Sequence, residues 1–321
     1  MSTSSEVCLG ALRQAAQEAS DNENNPAIST EAWNQFITQS YKTLYDMLVG
    51  AYGNDYYVAS SYNFVTTNTQ ANALPDGSPS FVSSDGTQAP KFYKLLGVDL
   101  QYSASPSGYV SLRRYEMIDR NKYAYPNTAI NWWGYTNLRY RLQGNYLYLV
   151  PIPMSGQTVR VWYVPAPTSL QFRLPGYTVA GSNVIGSMTD TTGITVGMNL
   201  SGTGFQSTTT VSAVGSTTIT TAATATASLN STLISAWNDN TLVEGIAGWE
   251  EFIVVDAAMK SQGKQENDAS LLAGQRQDIV ARIQAMAEGR DAGQAHHVSD
   301  VMGMNYWADD DNFGPWGMGG Y

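Results

Sequence analysis

The 321-residue sequence predicts an α+β fold: N- and C-terminal helices forming a helical bundle with a central antiparallel β-sheet or sandwich, plus a small β insertion. Three observations lead there. Apolar residues recur at three- and four-residue steps through 30–52 and again through 248–288, the spacing of helices with one buried face. Between them, 137–167 alternates apolar and polar side chains with turn residues at its breaks, as strands do. Composition then shifts: between Arg173 and Asp239 the sole charge is Asp190, and 176–236 is rich in Gly, Ser, Thr and Val. Short β-prone runs separated by glycines suggest an ordered β insertion. The segments are therefore 1–55, N-terminal helices; 56–175, a central β domain; 176–236, the Thr/Gly-rich β insertion; 237–290, C-terminal helices; and 291–321, an extended tail.

Taken in order, residues 5–19 read as a short helix with Val7, Cys8, Ala11, Leu12, Ala15 and Ala19 on one stripe. After the polar loop 21–26, Ser29 or Thr30 caps a longer helix, with Glu31 in its first turn, where a carboxylate suits the helix dipole. Its apolar face runs through Trp33, Ile37, Tyr41, Leu44 and Leu48 to a stop at Gly53-Asn54. Residues 56–66 look like a strand, 68–90 like a loop-rich segment, and 92–100 like a run that enters the sheet. A turn at 103–108 and a strand at 109–114 follow, with a short helix at 115–121 before an aromatic loop at 123–135. Leu138, Tyr140 and Leu142 then alternate with Arg139, Arg141 and Gln143. Gly144-Asn145 suits a type II′ hairpin, because glycine accepts positive φ at the first central position. Residues 146–150 return as the partner strand, and Pro151 and Pro153 break the ladder, since proline has no N–H to donate. With 159–164 as a third strand, 137–167 is expected to form a meander. Trp249, Phe252, Ile253, Ala257 and Met259 give a helix to about Ser261. After a break at 263–268, a last helix spans 270–288, with Leu272, Ile279, Ile283 and Met286 facing inward and Gly289 as its stop.

Hydrophobic residues make up 43% of the chain, enough for a core, while charged residues, at 14%, are sparse for a solvated monomer. The 20 tyrosines are residues that sit half buried where proteins meet. Together these features lean towards a chain that buries surface in an assembly. A formal net charge of −10 lacks the basic footprint of a nucleic-acid reader. No apolar run reaches the length of a membrane span, and 1–19 lacks the basic start and apolar core of a secretion signal. Cys8 is the sole cysteine, which rules out an internal disulfide and points to maturation in a reducing cytoplasm.

Catalytic motifs are missing. His296 and His297 are adjacent, so on extended backbone they point opposite ways, and one distant cysteine completes no conventional zinc site. Cys8, on a helix's apolar stripe, reads as a small core residue and not a nucleophile. There is no Walker-type loop, GxSxG or HExxH, and Gly202-Thr203-Gly204 has no following helix to cradle phosphate. Asp309-Asp310-Asp311 lacks the alternating ligands and distant glutamate of a calcium loop and reads as a solvated acidic run. A glycosidase carboxylate pair is defined in space and not by spacing, so that class stays open at this point. No metal, no cofactor and no enzymatic activity are expected. Trp132 and Trp133 have two readings, sugar stacking or packing against the chain's own sheet or a neighbouring subunit, the second favoured. Arg113, Arg114 and Arg120 read as the only basic cluster, and suit intersubunit ion pairs. Residues 302–321 set Trp307, Phe313, Trp316 and Tyr321 beside the acidic run with no periodicity, too aromatic for an ordinary solvated terminus. These nine arginine and aromatic residues are the expected interface.

The order of motifs carries a resemblance. An Ile-Ser-Thr-Glu start (28–31) leads into Tyr41-Lys42-Thr43-Leu44-Tyr45-Asp46-Met47-Leu48-Val49 and Ala51-Tyr52-Gly53-Asn54-Asp55-Tyr56-Tyr57. Ala89-Pro90-Lys91-Phe92-Tyr93-Lys94-Leu95-Leu96-Gly97-Val98-Asp99, Arg120-Asn121, Tyr140-Arg141-Leu142-Gln143-Gly144-Asn145 and Leu149-Val150-Pro151-Ile152-Pro153 follow, and Ala285-Met286-Ala287-Glu288-Gly289-Arg290-Asp291 closes. This resembles the head-to-tail adaptor (connector) proteins of tailed bacteriophages over about 5–170 and 240–301; the 176–236 insertion departs from it. The resemblance implies a structural virion protein of the neck, made in the host cytoplasm. It implies a homo-oligomeric ring of twelve copies that docks on the portal protein and receives the tail tube or nozzle protein. Viral DNA would pass through without specific binding, and no membrane would be involved. The 291–321 tail would anchor on the portal or a neighbouring subunit. The alternative is a glycan- or receptor-binding phage tail protein. Fibres of that kind are usually trimeric with long repeats, which this chain lacks.

Overall fold

A computed structural model describes residues 7–23, 27–52, 56–57, 59–84, 86–104, 107–121, 138–205, 208–243, 245–246 and 248–287. Four helices pack together: α1 (Leu9–Ala19), α2 (Thr30–Ala51), α3 (Glu250–Lys264) and α4 (Ser270–Ala287). Ser29 caps α2, its hydroxyl accepting the Ala32 amide at 3.4 Å. Helix α1 has no side-chain cap. Its first amides donate instead to backbone carbonyls about 230 residues on, Leu9 to Thr241 at 3.0 Å and Gly10 to Asp239 at 2.9 Å, which satisfies groups a helix start otherwise leaves open. Leu12, Trp33, Ile37, Phe252, Ile253 and Ile283 are among the buried side chains of the shared core. Met286, expected to face inward, is exposed: on α4 only Ile279 and Ile283 are fully buried, with Leu272 and Val280 partly so.

A carboxylate is buried among these helices. Asp256 on α3 contacts Lys260 Nζ at 2.7 Å and Arg276 Nε of α4 at 2.6 Å, and accepts the Ser40 hydroxyl of α2 at 2.7 Å. Burial alone would push its carboxyl up, but hydrogen bonds from Lys260 and Ser40, with the Lys260 charge and Arg276, hold it below the ordinary range.

Two four-stranded sheets face each other across a second core. The first has the order β1 (Ser60–Val65), β8 (Thr158–Pro165), β3 (Phe92–Ala104), β4 (Ser107–Ser111); the second, β2 (Ala71–Ala73), β7 (Tyr146–Val150), β6 (Arg139–Gln143), β5 (Arg113–Arg114). Leu100, Val161 and Tyr163 from one meet Leu138, Leu147 and Leu149 at the other. Hairpin β6–β7 closes on Gly144-Asn145, with Gly144 at φ +58°, as a type II′ turn requires. The third strand of the expected meander does not join it. β8 pairs with β1 and β3, and the free side of β7 is taken by β2, from within the stretch read as loop. The proline-interrupted segment after β7 lets the chain change sheets, because it has few donors to continue a ladder.

The third sheet has six strands in the order β10 (Val184–Ile185), β13 (Ile219–Thr221), β12 (Thr209–Val214), β11 (Asn199–Gly202), β14 (Leu229–Trp237), β9 (Gln171–Thr178). A bridge between Tyr177 and Gly186, with bonds of 2.8 and 2.9 Å, ties β9 back to the β10 side, so the sheet is a nearly closed barrel around Ile185, Leu200, Val211, Ile219 and Ile234. Gly202 lets β11 press on β14: a Cβ there would lie 2.9 Å from the Leu233 carbonyl oxygen. Barrel and helices meet along a polar seam, where Asp239 contacts Arg13 at 2.7 Å and Asn199 at 3.3 Å, and Arg173 bonds to Gln35. Trp237 at the end of β14 enters the helical core.

These findings correct the expected fold class. The chain is mostly β, 33% strand against 27% helix, with three sheets and four helices among the described residues, and it is not a helical bundle with a central sheet. The reason is long-range pairing: β9 and β14 recruit the Thr/Gly-rich stretch into a barrel with its own core, and β8 deserts the meander to build a second sheet.

Candidate interaction surface

The C-terminal half of α2 docks on the first sheet through tyrosines. Tyr45 stacks on Tyr57 at 4.1 Å and meets Tyr93 of β3 edge-on at 5.6 Å. The Tyr45 hydroxyl donates to the Pro165 carbonyl, and the Tyr93 hydroxyl to Asp46 at 2.5 Å. Burial raises both phenols, Tyr93 to about 12, the neighbouring Asp46 carboxylate adding to the effect. These hydroxyls are held as neutral hydrogen-bond donors. Beside them, Tyr93, Lys94 and Leu95 face Arg114, Tyr140 and Leu142 across a cleft of about 360 Å³.

The register of β5, β6 and β7 assembles a basic face. β5 runs parallel to β6, setting Arg113 opposite Arg139 and Arg114 opposite Tyr140; β7 is antiparallel, setting Tyr148 opposite Arg141 and Tyr146 opposite Gln143. Partners across a ladder share a face, as do alternate residues along one strand, while successive residues point to opposite faces. Arg113, Arg139 and Arg141 therefore stand on one face with Tyr146 and Tyr148, while Arg114 lines the cleft on the other. Arg113 and Arg114 are exposed, and so is Arg120, just past the 3₁₀ turn Met117–Asp119. Nε and Nη1 of Arg141 are shielded from solvent and have no hydrogen-bond partner among the described residues, an arrangement costly for a guanidinium.

Charge is divided unevenly along the chain. Residues 1–55 and 244–321 together carry 20 carboxylates against 7 lysines and arginines, whereas 56–243 carry 10 lysines and arginines against 7 carboxylates. The arginine face thus lies in the net-positive stretch of an acidic sequence. Of the residues singled out from sequence, the structure brings Arg113 and Arg114 to this sheet and Arg120 nearby; Trp132, Trp133, Trp307, Phe313, Trp316 and Tyr321 lie outside the described residues. Arg139 and Arg141 were missed as members of the cluster, and the segmental charge tally was the signal that could have found them.

Chemistry is sparse elsewhere. Among the described residues no three His, Cys, Asp or Glu side chains converge to hold a metal, and no helix is long and apolar enough to cross a membrane. Asp76 and Asp190 line a cleft of about 330 Å³ with Phe172. Each is bound by its own loop: the Ser78 hydroxyl and amide hold Asp76 below the ordinary carboxyl range, and those of Thr192 do the same for Asp190. Neither carboxyl shows the raised value that a glycosidase acid needs. Cys8 sits half buried at the start of α1, bridged to Leu242. Large apolar side chains are exposed along the β layers, with Ile118 85%, Ile152 57% and Tyr102 54% accessible. Compared with known proteins, the chain matches no family model, and no curated protein matches it.

Proposed function

We propose that the chain is a head-to-tail adaptor of a tailed bacteriophage, a structural subunit that forms a ring between portal and tail and passes DNA without specific binding. The observation that supports this most is spatial. Motif blocks carrying the resemblance, far apart in sequence, share one junction: Tyr45 and Asp46 from the first, Tyr57 from the second, Tyr93 to Leu95 from the third, and Tyr140 and Leu142 from the hairpin block. They meet through ring packing and hydrogen bonds, as the framework of a structural subunit would. Exposed apolar side chains and sparse charge supply surface for neighbours, and an acidic balance repels phosphates in a channel.

The test is the mass of the purified protein alone and mixed with its phage's portal ring. Monomers that assemble into a portal-bound ring, and fail to do so without residues 302–321, are the expected result. A stable trimer indifferent to the portal would overturn the reading and direct attention to glycan binding at Trp132 and Trp133.

A further inference from the structure

We infer that the arginine face of β5–β7 is a docking site for the chain's own acidic-aromatic segment 300–321. The stretch of sequence that builds the face is rich in cations and poor in carboxylates. The adjoining stretch 122–137 contains Lys122 and no Asp or Glu, and Glu116 and Asp119 are the only carboxylates between Arg113 and Arg141, against six lysines and arginines. Two Arg141 nitrogens are withdrawn from water without a partner among the described residues. The segment offers the complement. Residues 291–321 carry five aspartates, three of them consecutive at 309–311, and no lysine or arginine. Trp307 and Phe313 flank the acidic run, so carboxylate and ring arrive together.

That pairing suits a face of alternating arginine and tyrosine. Guanidinium groups bind carboxylates through paired N–H donors and stack on aromatic rings. The first sheet already shows the second mode, with the Arg160 guanidinium 3.7 Å above the Tyr109 ring. Reach is no obstacle. From Ala287 to Asp309 the chain can span up to roughly 70 Å, against a radius of gyration of about 20 Å for a compact chain of this length. A polyanion such as DNA could also meet arginines, but the net charge of −10 repels it at long range. The inference does not depend on the adaptor reading, because it concerns the protein by itself.

The experiment uses the full chain without portal. Zero-length carbodiimide coupling of the Arg113→Lys variant should join the peptide containing residue 113 to the one containing 309–311. Chymotryptic cleavage after Trp307 and Phe313 should quicken at least tenfold in Arg113→Glu, and equally in a triple variant with Asp309, Asp310 and Asp311 each changed to Asn. Arg113 is exposed, and the cores of the described residues form without the three aspartates, so circular dichroism of both variants should match that of the parent chain. Raising salt from 50 to 500 mM should mimic the substitutions. No cross-link, or cleavage rates indifferent to both variants, would overturn the inference. So would a fluorescent DNA duplex that binds at 50 mM salt, is lost in Arg113→Glu, and leaves cleavage unchanged, for then the face belongs to nucleic acid.

Discussion

At the heart of the helical layer a buried carboxylate is shared by three partners on three helices, whereas the barrel core holds no charge among the described residues, and its buried polar groups are mainly threonine hydroxyls. Thr178 donates to the Ala227 carbonyl at 3.1 Å, Thr221 to Asn183 at 3.0 Å and Thr232 to Thr203 at 2.8 Å. The helices satisfy their own backbones, so side-chain polarity is free to tie one helix to another. Short strands joined by many loops leave backbone carbonyls open instead, and a small residue with a methyl and a hydroxyl can close them while still packing. The Thr/Gly bias of the barrel is therefore a consequence of its loop density.

Removing the shared carboxylate should have the largest effect. Asp256→Ala leaves Lys260 and Arg276 facing each other without their anion; both are partly open to water, so a loss of about 3 kcal/mol, the low end for breaking a buried pair, is expected. Circular dichroism should show helical signal melting well before strand signal. Simultaneous melting of both would mean that the two regions unfold as one unit. In the barrel, Gly202→Ala forces a methyl against the Leu233 carbonyl and should cost about 1–3 kcal/mol, as overpacking does, read from the denaturant midpoint. Acid should separate the regions next. Because the folded Asp256 carboxyl titrates below its unfolded value, its stabilisation is present above about pH 4 and is lost as pH falls through the folded value. Tryptophan fluorescence of the helical core should change over that range, and Asp256→Asn should flatten the response. The smallest change, Thr232→Val, keeps shape but removes one hydroxyl bond, and about 1 kcal/mol is expected from thermal unfolding. An effect near zero would mean that the Thr203 carbonyl finds another donor.

Local signals were legible and partner choice was not. The 3.6-residue period of Trp33, Ile37, Leu44 and Leu48 marks α2 because a helix chooses its own hydrogen bonds, and Gly144-Asn145 marks the β6–β7 turn because φ is a local property. Nothing local to residues 158–165 says that they pair with β1 and β3 and not with β7. The same holds for the interface. Arg113 and Arg114 stand out as a basic pair in the sequence, yet Arg139 and Arg141 join them only through a parallel pairing across 26 residues of chain. The Tyr45–Tyr57–Tyr93 junction was visible only as separate motifs. The expected bundle failed for the same reason, since local periodicity counts helices but does not reveal how far the β layers extend.

The seams that close the helical layer also set a timetable for the newborn chain. Ser40 waits for Asp256, 216 residues later, and Arg13 for Asp239, 226 residues later. At the 5–20 residues per second of synthesis, that wait is roughly 10 to 40 s. Throughout it Trp33, Ile37 and Leu44 have no α3 to cover them, while every strand of the barrel has already been made by Trp237. Translation thus finishes the barrel before the helices, and the α2 face is the surface a chaperone would meet on the ribosome.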